Sequence, residues 1–225
     1  MNRLLLTRTG RWKIGMEQHS QQPNKSYLVM RANAEEALSL AADWWEDKKV
    51  PDYVRVRRLE RDDLKEFVEL YNKCFLASPD PFCPLSLEEA DKLEFEGVFV
   101  AEMWNILAGF IACFIERDKS VTYGEITGIG VLPSRRRKGV ATALVRRAAE
   151  YFIDAGIDEV YCEVFEENTP SLSLILAYGF REVGRREIPG ITAEPKGRQQ
   201  DVYGGKIMRK LGLRPRTQYR GSQDT

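Results

Sequence analysis

The feature that most constrains the fold is a change of hydrophobic period between Val121 and Ile153. Val121 to Val131 reads as a strand that ends at Pro133. After a basic loop, Ala141, Leu144, Val145, Ala148, Ala149, Phe152 and Ile153 recur at helical spacing, with Arg146, Arg147, Glu150 and Asp154 opposite. A strand feeding an amphipathic helix through a short loop is the building unit of α/β domains, and Gly156 supplies the helix stop. Val54 and Val56 alternate with Arg55 and Arg57 as a half-buried strand, and Leu64, Phe67, Val68 and Tyr71 then follow helical spacing. Ser86 with Glu89 forms a capping box. Val98 to Met103, Leu107 to Ile115 and Val121 to Val131 are strands with no helix between them, which predicts an antiparallel meander. Val160 to Phe165 is a further buried strand. Thr169-Pro170 caps and opens a short helix that stops at Gly179, and Gly205 to Met208 is the last strand. The expected architecture is a mixed central sheet flanked by helices.

Residues 1–51 read as an N-terminal β/α extension. Leu4 to Leu6 and Ile14 to Met16 flank a Thr9-Gly10 turn, and Tyr27 to Met30 is a short strand. A helix capped by Asn33 and Glu36 then carries Ala37, Leu38, Ala41 and Trp45 on one face, until Glu46 to Lys49 and Pro51 end it. The main domain is expected over residues 52–211, followed by a flexible basic tail, 212–225. The extension is expected to cover a substrate groove, to dock through Trp44-Trp45 onto its own domain, or to mediate a homodimer.

Composition narrows the function classes. Lys plus Arg equals Asp plus Glu, 34 against 34, so no global field recruits nucleic acid or an anionic membrane. The basic C-terminal stretch, where Lys196, Arg198, Lys206, Arg209, Lys210, Arg214, Arg216 and Arg220 face only Asp201 and Asp224, is the one feature in favour of nucleic-acid binding and reads first as a solvated end. No apolar run approaches the roughly 18 to 20 residues that cross a bilayer, and Met1 to Leu6 is too short for a signal peptide. A cytoplasmic location without membrane partners is therefore expected. Cys74, Cys83, Cys113 and Cys162 are scattered, and His19 is the single histidine, so no metal site is expected and a cysteine-protease arrangement lacks its base.

The loop itself carries the chemistry. In Gly128 to Thr142 a strand ends and a helix begins near Gly139, with Arg135, Arg136, Arg137 and Lys138 between them and no nearby acid. The first amides of a helix lack internal partners and carry the positive end of its dipole, so a pyrophosphate suits the loop. Walker A fails because Lys138-Gly139 is followed by Val140, and the dinucleotide fingerprint begun at Gly128 fails at Pro133.

Pro133, Arg136, Gly139 and Ala141, spaced as Pro-x-x-Arg-x-x-Gly-x-Ala between a strand and an amphipathic helix, resemble the acetyl-CoA loop of the GNAT N-acetyltransferase superfamily. Asn168, Ser171, Leu174 and Gly179-Phe180 resemble that family's second segment with every spacing kept, and Met208 to Leu211 resembles its closing strand. The similarity covers roughly Tyr53 to Leu211. It implies an acyl-CoA between two splayed parallel strands, Val121 to Val131 and Val160 to Phe165. Ile129, Gly130 and Val131 would pair with the pantetheine arm. Arg136 and the amides of Arg137, Lys138, Gly139, Val140, Ala141 and Thr142 would hold the pyrophosphate, with Asn168 and Ser171 on the other side. The reaction implied is direct attack of an amine on the thioester; the acceptor, whether protein N-terminus, lysine or small amine, stays open.

Glu125 occupies a position where some members resemble this chain in carrying a general base, and strand alternation sets it on the side of Thr127, Ile129 and Val131. It reads equally as an exposed charge, with Glu163 as the alternative base. The family's usual tyrosine donor is replaced by Ile175, which leaves Tyr178, Ser173 or water to protonate the thiolate. That departure supports a second expectation, a catalytically weak or inactive acyl-CoA-binding regulatory module of the same fold.

Overall fold

A computed structural model describes residues 4–6, 12–14, 25–48, 53–79, 84–92, 95–118 and 121–188. A small antiparallel ribbon pairs β1 (Leu4–Leu6) with β2 (Trp12–Ile14). Then follow β3 (Lys25–Asn33), α1 (Ala34–Lys48), β4 (Val54–Arg58), α2 (Leu64–Leu76), α3 (Leu87–Ala90), β5 (Val98–Met103), β6 (Ile106–Asp118) and β7 (Val121–Val131). The described part ends with α4 (Val140–Asp154), β8 (Glu159–Phe165), α5 (Thr169–Leu176) and β9 (Arg181–Ile188). Seven strands form a mixed sheet in the order β4-β5-β6-β7-β8-β3-β9, antiparallel throughout except where β7 meets β8. The mixed sheet with flanking helices and the β5-β6-β7 meander are as the sequence predicts, and the parallel pair is as the family resemblance implies.

Local signals explain the helix starts. Asn33 Oδ1 accepts hydrogen bonds from the amides of Glu35 and Glu36 at the start of α1. Ser86 and Glu89 cap α3 reciprocally. At α5 the cap is Asn168, one residue before the expected Thr169, because its side chain reaches the Ser171 amide at 3.1 Å.

Two expectations change. Of the expected extension, residues 25–48 do not stand apart from the main domain: β3 lies inside the sheet, between β8 and β9, and α1 packs along α4. Leu28, Met30 and Ala32 are buried on one face of β3, so this strand builds core as the others do. Its alternation was legible, but its sheet partners are far away in sequence; Ser26 accepts from Glu166 through its carbonyl, and its own amide donates to the Glu166 side chain 140 residues on. The second change concerns β7. The register slips between Ala112 and Cys113 of β6, so Thr127 has no counterpart and forms a bulge. Glu125, paired with Phe114, therefore faces the same side as Gly128 and Gly130, whereas Ile129 and Val131, paired with Ile111 and Gly109, face the other. The expected closing strand at Gly205 to Met208, the tail 212–225, His19 and Cys83 all lie outside the described residues.

Each side of the sheet has its own core. Leu144, Val145, Ala148 and Phe152 of α4, with Ala41 of α1, bury Met30, Phe99, Ile111, Cys113, Val160 and Cys162. On the opposite side Phe67, Leu70, Tyr71 and Cys74 of α2 bury Val100, Phe110 and Ala112. Phe67 meets Phe110 edge-on at 5.4 Å. Since α2 packs over β6 and β7, it leaves the same side of β8, β3 and β9 without a described covering helix.

Candidate functional site

The parallel pairing of β7 with β8 is confined to Gly124–Ile126 against Val160–Cys162. Beyond it β7 runs on to Val131 and β8 to Phe165 with no pairing between them, so the sheet opens as a wedge. A cavity of about 550 Å³ fills this wedge, within the range of small-molecule sites. Main-chain edges bordering a gap of this kind accept an extended ligand as they would another strand.

One wall is β7 and the loop that follows it. Ile129, Gly130, Val131, Arg136, Arg137, Gly139, Ala141 and Thr142 of the expected set line the cavity, as does Arg135. Gly130 is bare where a Cβ would stand 2.5 Å from the Phe110 ring and 2.9 Å from Cys74, so only glycine lets α2 pack this closely on the strand. Gly139, the residue before α4, adopts φ 79°, a conformation glycine takes without strain, and no acid occupies the first turn of α4. The leading amides of this helix therefore present an uncompensated positive end toward the cavity. Arg136 donates from Nε to the Val131 carbonyl at 3.2 Å, which folds the loop back onto the strand. Lys138 and Val140 do not line the cavity. The Lys138 ammonium lies 6.0 Å from the centre of the Trp104 ring, and the Val140 side chain is buried against Gly109.

The other wall is β8 with α5. Asn168 is 5% exposed; its Oδ1 caps α5 and its Nδ2 donates to the Ser78 hydroxyl at 3.1 Å, joining α5 to the segment after α2 across the mouth. Ser171 also lines the cavity. Deeper in, the Tyr178 hydroxyl donates to Thr142 Oγ1 at 2.8 Å, tying the turn after α5 to the first turn of α4. Burial pushes the Tyr178 phenol above the usual tyrosine range, so it stays protonated near neutrality. Ile175, which stands at the position of the family's usual tyrosine, is buried in the core.

Two carboxylates share the α2 side. Glu125 is 5% exposed and in register with Tyr161 of β8; it does not line the cavity as Glu163 does. Glu163 accepts from Arg186 Nη2 at 2.7 Å and Nε at 3.1 Å, and that guanidinium stacks 4.8 Å over Tyr27. Tyr27 and Arg186 belong to β3 and β9, and no local pattern connected them with Glu163. Cys74 borders the cavity as a thiol that burial pushes up to about 12, which removes it as a nucleophile near neutral pH. No cluster of metal-ligating side chains occurs among the described residues, and no described helix is long and apolar enough to cross a membrane.

Comparison with known proteins agrees with this geometry. The acetyltransferase (GNAT) family profile matches residues 64–180, just over half of the chain. An N-alpha-acetyltransferase of Sulfurisphaera tokodaii is 30% identical over 147 residues, spanning 61% of this chain and 86% of that protein. An uncharacterised N-acetyltransferase of Methanocaldococcus jannaschii is 29% identical over 136 residues, covering 56% of this chain and 60% of the relative's own length. Among solved structures, a conserved protein of unknown function from Staphylococcus epidermidis superposes with a TM-score of 0.54 at 16% identity, over 72% of this chain and 59% of that one, and shares the fold. The chain belongs to the acetyltransferase (GNAT) family.

Proposed function

We propose that the protein moves the acetyl group of acetyl-CoA to an amine by direct attack. The observation that carries this reading is the wedge between β7 and β8, which ends at the glycine-capped, acid-free start of α4. An extended pantetheine arm suits the free strand edges, and the helix amides with Arg136 and Arg137 suit a diphosphate. When bound, acetyl-CoA supplies the activated thioester. The chain's own residues hold and orient it: Ile129 to Val131 along the arm, Arg136, Arg137, Gly139, Ala141 and Thr142 at the phosphates, and Asn168 and Ser171 opposite.

The acceptor amine approaches on the α2 side, where the β8-β3-β9 surface has no covering helix among the described residues and both carboxylates lie. A lysine-like amine with a pKa of about 10.4 must lose a proton to react at pH 7, which costs about 4 to 5 kcal/mol. Glu125 is the proposed base. Glu163 is already engaged by Arg186 and would have to give up that ion pair first. The thiolate takes its proton from Tyr178 or water. A second reading, a CoA-binding module with weak or no turnover, draws on Ile175, which puts a buried aliphatic side chain where the family commonly donates. Thiol release from acetyl-CoA across a panel of protein N-termini, lysine peptides and small amines tests the proposal. Release with one acceptor class supports transfer; thermal stabilisation by CoA without release supports the module.

A further inference from the structure

The two-residue turn between β5 and β6 is built from Trp104 and Asn105, at φ 54° and 59°. Both central residues of such a hairpin turn must be left-handed, which asparagine tolerates and a bulky aromatic does not. Burial does not explain the tryptophan, because Trp104 is 55% exposed. Its contacts do. The ring stacks on Tyr53 at 4.8 Å, Arg135 Cζ stands 4.9 Å from its centroid and Lys138 Nζ 6.0 Å from it. Both cations come from the loop before α4, and of the two Arg135 lines the cavity whereas Lys138 does not. A guanidinium held over an aromatic ring still has N–H groups to offer oxygen acceptors, and fixing the side chain beforehand lowers the entropy lost when it binds.

We propose that Trp104 is a positioning residue that holds Arg135 at the anion end of the cleft, so that a phosphate-bearing ligand meets a cation already in place. This rests on the reading of the cavity as a CoA site. The test is titration calorimetry of the full chain with CoA. Trp104→Asn keeps a residue suited to the left-handed turn but removes the ring, and should weaken CoA binding about 5- to 10-fold, while Trp104→Phe keeps it within about 2-fold of the parent. Arg135→Gln leaves the turn untouched and should lose a similar factor; the double variant should be little weaker than either alone, because both act through one contact. Unchanged affinity in Trp104→Asn, a Phe variant as weak as the Asn one, or fully additive losses would overturn the proposal. No heat of CoA binding in the unmutated chain would instead remove the CoA reading and this inference with it.

Discussion

The two walls of the cleft reach similar ends by different routes. The β7-α4 wall is a continuous run, Thr127 to Thr142, whose cations have no described carboxylate partner and whose polarity comes from main-chain amides. The β8 wall and its flank draw on three separated segments, β3, β8 and β9, and its charges are tied: Glu163 to Arg186, with Arg186 over Tyr27. An open cationic wall suits capture of an anion, and a tied, aromatic-lined surface suits orientation of a second molecule. Contiguity decides how far each wall can be read from sequence, and charge pairing decides what each can bind.

The largest expected effect falls on the flank of the second wall. Met30→Ala empties a fully buried position in the middle of β3 and should lower stability by about 2 to 4 kcal/mol in chemical denaturation; a value near zero would mean that β3 is dispensable and the two walls are independent. Glu125→Gln should cut turnover at least 10-fold, about 1.4 kcal/mol, without altering CoA affinity in calorimetry. Glu163→Gln should lower turnover less and reduce the unfolding midpoint, since it leaves Arg186 without its carboxylate. If the two carboxylates exchange these phenotypes, the assignment of the base is inverted. Raising ionic strength from about 50 to 500 mM should weaken CoA binding through the open wall and leave the Glu163–Arg186 pair, whose carboxylate side chain is 7% exposed, largely unaffected; a salt-independent CoA affinity would contradict the contrast. The smallest change is Tyr178→Phe, which removes the hydroxyl bridge between the walls and should cost about 1 kcal/mol in denaturation.

The first wall was legible because every signal in it is local. The period change, the glycine before α4 and the run of cations need no knowledge of distant partners, and eight of the ten residues expected on this wall line the cavity: Ile129, Gly130, Val131, Arg136, Arg137, Gly139, Ala141 and Thr142, with Asn168 and Ser171 facing them from the other. Glu125 was singled out, but strict alternation set it on the wrong side of β7, because the bulge at Thr127 is determined by pairing with β6 and leaves no mark in the strand's own composition. Tyr27 and Arg186 were missed as companions of Glu163 for the same reason. Their contact exists only once β3 lies between β8 and β9, and a strand separated from its partners by most of the chain reads as an appendage. Trp104 carried a signal that went unused: a bulky residue next to asparagine in a two-residue gap between strands is an uncommon choice for a hairpin turn.

The location of β3 has a consequence for how the molecule assembles. Of the seven strands in the sheet β3 is made before the other six yet lies sixth in order, and it finds a neighbour only after β8 has been made. Until then Leu28, Met30 and Ala32 have no strand to lie beside, while the β4-to-β7 meander has every partner it needs. Folding should proceed from the middle of the chain outward, with the late, entropically expensive return of the amino-terminal segment joining β8 to β9.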